Sequence, residues 1–145
     1  MVTVTELSVK ERSQWCPGCG NHAIVGALRS ALAEMNIPPH QIVISSGVGC
    51  SSKLPHYVNT YGFEGLHGRS LPVASGIKLA NHKLTVLAVG GDGDGYGIGT
   101  AHFMHIMRRN YDLTYIVHDN QIYGLTTGQA SPTSQPGMKT RTTPY

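Results

Sequence analysis

Charge is what this chain has least of. Asp, Glu, Lys and Arg make up 13% of its 145 residues, against about a quarter in an ordinary soluble domain. A surface so poorly supplied with charge is expected to be covered in part by another molecule. The formal net charge of +3 is mild and no basic run occurs, which argues against a nucleic-acid partner. No apolar stretch approaches the roughly 20 residues that span a bilayer. The opening Met1-Val2-Thr3-Val4-Thr5-Glu6 lacks the basic and then apolar segments of an export signal, so a cytoplasmic location is expected. There are three cysteines, an odd number in a chain without such a signal. That excludes a disulfide framework and points to thiol or metal chemistry.

The length suits one domain, since domains commonly run about 100–150 residues. Residues 1–15 read as irregular and polar. Ile24, Ala27, Leu28, Ala31, Leu32 and Met35 fall at helical spacing over 21–35, and Pro38-Pro39 forbids continuation. Ile42-Val43-Ile44-Ser45 reads as a short buried strand, with Gly47 to Ser52 as the loop after it. Residues 54–70 show no period. A short helix is expected over 72–82, the strongest strand over 84–89, a second helix over 100–109 and another strand over 113–117. Strands alternating with helices imply an α/β fold with a parallel sheet. Ligands of such sheets lie beyond the carboxyl ends of the strands. The Thr-, Ser-, Pro- and Gly-rich tail, 126–145, is either a long functional loop or a segment that packs on something further along.

The chemistry concentrates after the strongest strand. Gly90-Gly91-Asp92-Gly93-Asp94-Gly95-Tyr96-Gly97 places five glycines in eight residues. Glycine lets backbone approach a ligand closely, and a following helix points its first amides at an anion. Asp92 offers hard oxygen to Mg²⁺, which takes about six octahedral oxygens and commonly bridges protein to phosphate. Asn120, at the next strand end, offers an amide oxygen, and the carbonyl of Ile122 a third ligand. The stretch fails as an EF-hand, because Tyr96 and Phe103 stand at the fifth and twelfth positions. It also fails as a Rossmann fingerprint and as a P-loop. A glycine turn with a solvated Asp remains the bland reading of Gly91-Asp92-Gly93 alone. Asp119-Asn120 downstream favours the metal site.

Cys16-Pro17-Gly18-Cys19 precedes the first helix, whose N-terminus favours thiolates. Alone it fits half a zinc site, a redox pair or two inert thiols. Cys50 sits at a strand end in the loop expected to face the cofactor, and three such thiolates fit an iron–sulfur cluster better than structural zinc. Of the eight histidines, His22, His82, His102 and His105 read as helix-end or polar-face residues. His67 has the strongest functional case. His56 is evenly balanced, and Arg69 is left open between a structural and a phosphate-facing role.

Gly49-Cys50-Ser51-Ser52-Lys53, His67-Gly68-Arg69, Gly91-Asp92-Gly93 and Asp119-Asn120-Gln121-Ile122-Tyr123-Gly124-Leu125-Thr126-Thr127-Gly128-Gln129 together resemble the beta subunit of the 2-oxoacid:ferredoxin oxidoreductases, over essentially the whole chain. The resemblance implies the thiamine-diphosphate-binding fold. It implies Mg²⁺ on Asp92, Asn120 and the Ile122 carbonyl. Val48, Gly49, Cys50, Ser51, His67, Gly91, Gly93, Asp94, Gly124 and Leu125 would line the cofactor, with Lys53 and Leu125 toward the substrate. Cys16, Cys19 and Cys50 match three of the four ligands of the family's [4Fe–4S] cluster. The fourth is expected beyond Tyr145, so the domain, 1–145, is expected to be incomplete. In that family a 2-oxoacid loses carbon dioxide on the thiamine group, electrons pass singly through the cluster to ferredoxin, and coenzyme A takes the acyl group. The glutamate that activates the cofactor comes from the pyrimidine-binding domain of an alpha subunit. No catalytic residue is therefore assigned in this chain, and a heterodimer is expected. The 50–56 loop is closest to the 2-oxoglutarate or broad-specificity branch. Two competitors remain: a thiamine decarboxylase without redox output, which the cysteines oppose, and a non-catalytic zinc module, which has no use for Asn120.

Overall fold

A computed structural model describes residues 1–144. Four parallel strands, β1 (Ile42–Ser46), β2 (Tyr61–Glu64), β3 (Thr85–Gly91) and β4 (Thr114–His118), lie in the order β2-β1-β3-β4. Helix α1 (Asn21–Glu34) precedes β1, α2 (Ser70–Ala80) joins β2 to β3, and α3 (Thr100–Arg109) joins β3 to β4. A two-stranded antiparallel ribbon, β5 (Ile122–Tyr123) with β6 (Gln129–Ala130), follows. The α/β expectation holds, and no helix among the described residues is long and apolar enough to cross a membrane.

The period of two in β3 explains the layering. Leu87 and Val89 join one buried cluster with Ile42, Ile44, Leu54, Val25 and Leu32, on the α1 side. Val86 and Ala88 join a second with Leu71, Ala74 and Ile106, on the α2 and α3 side. A strand covered on both faces must be apolar at every position, so its sequence is a continuous run rather than an alternation. Residues 1–15 are irregular as expected, yet not peripheral. Leu7 is fully buried and Trp15 nearly so, and both enter the α1-side cluster.

Three local features differ from expectation. Residues 54–70 contain a 3₁₀ turn, Ser51–Tyr57, and then β2. All four β2 residues are exposed, so pairing with β1, not its own apolar pattern, makes it a strand. Helix α2 starts two residues before Pro72, which the first turn tolerates because its N–H would be unpaired there. Between β3 and α3 the glycine run forms a π-helical turn, Gly93–Ile98, with the amide of Gly99 donating to the carbonyl of Asp94 at 2.9 Å. Such turns are rare and concentrate at functional sites. Helix α3 ends where Asn110 adopts the left-handed conformation (φ 50°) and its amide returns to the Ile106 carbonyl at 2.9 Å.

The chain turns in opposite directions from the carboxyl ends of β1 and β3. β1 connects to β2 on one side, and β3 connects to β4 on the other. This switch point opens a crevice between the two central loops.

Ile44 is fully buried at the centre of this sheet, whereas Tyr61 on the edge strand is 62% exposed. Ile44→Ala is expected to lower unfolding free energy by about 2–5 kcal/mol, and Tyr61→Ser by no more than about 0.5 kcal/mol. Urea denaturation followed by circular dichroism measures both.

Candidate cofactor and metal site

All four strands of the main sheet contribute the loop that follows them. Three of these loops, those after β1, β2 and β3, meet at Asp94, in the π-helical turn after β3 and 2% exposed. One oxygen, Oδ1, accepts three hydrogen bonds: from the amide of Val48 at 2.9 Å, the amide of Gly68 at 2.8 Å and Nδ1 of His67 at 2.6 Å. These donors lie in the loops after β1 and β2. The local sequence permits the approach, because a Cβ on Gly47 would stand inside the Asp94 carboxylate. Gly68 has φ +71°, and a Cβ there would lie 2.7 Å from the Gly99 amide nitrogen. Asp94 Oδ2 is buried without a partner among the described residues, as is the hydroxyl of Tyr115. Burial, then the Asp94 charge, raises the Tyr115 phenol well above the ordinary tyrosine value.

The bond from Nδ1 fixes the tautomer of half-buried His67 and leaves Nε2 as its free nitrogen. Asp92 is 1% exposed. Its Oδ2 accepts from Thr133 Oγ1 at 2.6 Å, and the same hydroxyl lies 2.8 Å from Asp119 Oδ1. Asn120 closes a turn, its Oδ1 accepting the Ile122 amide at 3.2 Å, and Gln121 between them has φ 61°. Tyr123 donates its hydroxyl to the Gly93 carbonyl at 3.1 Å. Its phenol is pushed up by burial, then by the charges of Asp92 and Asp94.

A cavity of about 380 Å³ opens beside these groups. Its wall includes the three expected metal ligands Asp92, Asn120 and Ile122. It also includes Val48, Gly49, Cys50, Ser51 and His67, then Gly91, Gly93, Asp94, Gly124 and Leu125. Cys16 and Cys19 stand on the same wall. Lys53 does not reach it: its ammonium donates to Gln14 Oε1 at 2.6 Å. His56 is likewise turned away, to Glu64 at 2.6 Å on the surface.

The three thiols are free. The Cys50 thiol is raised by burial first and then by Cys19 and Cys16, with Lys53 opposing. The cysteines thus feel one another's charge. Yet no three His, Cys, Asp or Glu side chains among the described residues converge as ligands of one ion. The indole of Trp15 donates to the Cys50 carbonyl at 2.6 Å and packs edge-on against His22 and Tyr57, so the residue just before the CxxC pair braces the third cysteine. The fit to a magnesium diphosphate is direct. A buried carboxylate with one oxygen engaged faces a glycine-lined wall and a neighbouring amide oxygen.

Two residues on or beside the wall carried no sequence signal. His118 ends β4, is 6% exposed and lines the cavity. Its Nδ1 pairs with Asn21 Oδ1 at 2.8 Å, its Nε2 is buried without a partner among the described residues, and burial lowers its pKa to about 4. Thr133 lies in the low-complexity tail, and only the fold-back of that tail brings it to Asp92.

Comparison with known proteins is consistent with this geometry. Residues 40–145 match the family model described as thiamine pyrophosphate enzyme, C-terminal TPP binding domain. The chain is 53% identical over 132 residues to 2-oxoacid:ferredoxin oxidoreductase 1, subunit beta, of Aeropyrum pernix, covering 91% of this chain and 42% of that one. It is 47% identical to the 2-oxoglutarate oxidoreductase subunit KorB of Mycobacterium tuberculosis, covering 90% of this chain and 35% of that one. The chain therefore spans less than half the length of these curated relatives. Among solved structures, a 2-oxoglutarate:ferredoxin oxidoreductase from Magnetococcus marinus with 2-oxoglutarate, coenzyme A and succinyl-CoA bound superposes with a TM-score of 0.97. That match has 44% identity, over 99% of this chain and 50% of that one.

Removing the Asp94 carboxylate strands two amides and His67. Asp94→Ala is expected to cost about 3 kcal/mol or more. Asp94→Asn, which keeps an acceptor at Oδ1, is expected to cost markedly less. Chemical denaturation of the two variants side by side measures the difference.

Proposed function

This chain belongs to the thiamine pyrophosphate enzymes and, within them, to the 2-oxoacid:ferredoxin oxidoreductase beta-subunit family, and on that premise we propose that it carries the diphosphate end of the thiamine cofactor and three ligands of a [4Fe–4S] cluster in a two-subunit oxidoreductase. The observation behind this reading is a single cavity wall that holds Asp92, Asn120, Ile122 and all three cysteines. Asp92, Asn120 and the Ile122 carbonyl hold Mg²⁺, a hard cation suited to oxygen donors. Val48, Gly49, Ser51, His67, Gly91, Gly93, Gly124 and Leu125 border the cofactor. Asp94 borders it too, though its main task is to hold the loops together. Cys16, Cys19 and Cys50 hold iron.

When bound, the thiamine group supplies carbonyl chemistry and the cluster supplies one-electron transfer. The chain's own residues position and insulate. The Gly124 backbone sits against Asn120 and the Cys50 sulfur: a Cβ there would lie 3.3 Å from Asn120 Nδ2 and 3.9 Å from Cys50 Sγ. A side chain at Gly124 would therefore crowd Asn120 and reach the Cys50 sulfur. Buried His118 stays neutral at physiological pH, so it adds no positive charge beside the cysteines. The reaction assigned to the assembled enzyme is oxidative decarboxylation of a 2-oxoacid to an acyl-CoA and carbon dioxide, with ferredoxin as electron acceptor. An alpha subunit supplies the pyrimidine-binding domain. The relative with 2-oxoglutarate bound makes that acid the first substrate to try. A substrate role for Lys53 requires it to leave Gln14.

Asp92→Ala is expected to abolish Mg²⁺-dependent thiamine diphosphate binding in the assembled complex. Calorimetric titration showing unaltered affinity would remove the site assignment. The complex purified without oxygen is expected to give a reducible [4Fe–4S] signal in electron paramagnetic resonance, weakened by Cys16→Ser. Stoichiometric zinc without iron would instead support the zinc module.

A further inference from the structure

We propose that Thr133 is a positioning residue that restricts Asp92 to one-oxygen coordination and thereby makes the cation site prefer Mg²⁺ over Ca²⁺; this rests on reading Asp92 as a cation ligand. Thr133 lies on the segment 131–134, beyond the β5–β6 ribbon. The segment is pinned in place: Ser134 Oγ donates to the Gln121 carbonyl at 2.6 Å, and the Ser131 amide donates to Ser134 Oγ at 2.8 Å. Pro132 lies over Gly97, its Cγ 3.5 Å from where a Cβ would stand. The strap therefore fixes where the Thr133 hydroxyl sits.

That hydroxyl is 2.6 Å from Asp92 Oδ2 and 2.8 Å from Asp119 Oδ1. It has one proton to donate, so it satisfies one carboxylate at a time. Asp92 is almost fully buried, and Thr133 is the only hydrogen-bond partner of its side chain among the described residues. A buried carboxylate with a single neutral donor leaves most of its charge uncompensated, which a cation corrects. With Oδ2 occupied by the hydroxyl, Oδ1 is the oxygen left for the cation.

One-oxygen coordination discriminates between the two common divalent ions. Mg²⁺ requires six ligands at about 2.0–2.1 Å in near-ideal octahedral array, whereas Ca²⁺ takes about six to eight and readily accepts both oxygens of a carboxylate. A hydroxyl seated on Oδ2 opposes the two-oxygen mode and so penalises Ca²⁺ selectively. The rival acceptor, Asp119 Oδ1, already receives the Gln121 amide at 3.0 Å, which lessens its claim on the Thr133 proton.

The test uses the intact two-subunit complex, stripped of divalent ions and supplied with saturating thiamine diphosphate. Mg²⁺ and Ca²⁺ are titrated separately, and bound cofactor is read by near-ultraviolet circular dichroism rather than by turnover. Thr133→Val keeps the shape and removes the hydroxyl. Its Mg²⁺-to-Ca²⁺ affinity ratio is expected to fall about tenfold or more, the scale of effect seen for groups that orient a metal ligand. Thr133→Ser should keep the wild-type ratio. Thr133→Ala, should the valine variant fail to assemble, must shift the ratio the same way. A ratio unchanged in the valine or alanine variant, while Asp92→Ala abolishes both titrations, overturns the role of Thr133 and leaves the cation site standing. Wild-type titrations in Asp92→Ala overturn the cation site, and the proposal with it.

Discussion

One oxygen atom organises the carboxyl end of this sheet. Oδ1 of Asp94 receives the amides of Val48 and Gly68 and the imidazole of His67. It therefore binds the loops leaving β1, β2 and β3 into one rim. Hydrogen bonds to a charged acceptor are among the stronger ones in proteins. Three on one buried oxygen leave the rim little freedom. The fully buried Asp94 is tolerated because it sits in a π-helical turn surrounded by glycines. Gly47, Gly90 and Gly99 each leave room where a side chain would strike Asp94. The rim then presents the rest of the site: Val48 and Gly49 on one side, His67 above, Asp92 two residues back along the same turn.

The neighbouring carboxylates divide the labour. Asp94 faces inward and is saturated on one oxygen by protein donors. Asp92 faces the cavity and has a single hydroxyl partner. The two residues are separated by one glycine, yet the turn gives one of them three protein donors and the other a single hydroxyl. Burial raises the phenols of Tyr115 and Tyr123 and lowers the imidazole of His118. All three shifts keep the groups neutral, so the negative charge of the site stays on the carboxylates.

Much of this was legible from residue order. The apolar run of β3, the 3.6-residue spacing of α1 and α3 and the Gly91-Asp92-Gly93 stretch each carry a local signal that the fold obeys. Most of the expected metal and cofactor residues fall on one wall because they lie at or after strand ends, and parallel strands end together; Cys16 and Cys19 reach it from the turn before α1. What escaped had no local signature. β2 is a strand only through its pairing with β1. Thr133 and His118 gain their places through contacts 41 and 97 residues away. Lys53, three residues after Cys50 in sequence, lies in the 3₁₀ turn that starts at Ser51, and its ammonium donates to Gln14.

The short loop after β1 bears on how such a protein can change over generations. Val48 is tied to Asp94, Gly49 adopts φ +131°, Cys50 stands among the thiols with its carbonyl braced by Trp15, and Ser51 touches the space beside Gly91. Four consecutive residues thus serve the rim, the cofactor wall and the sulfur cluster of contacts at once. A substitution selected for one of these traits is inherited as an alteration of the others. Evolutionary novelty in the chemistry this chain supports is therefore channelled away from that loop, toward positions that serve a single one of these contacts.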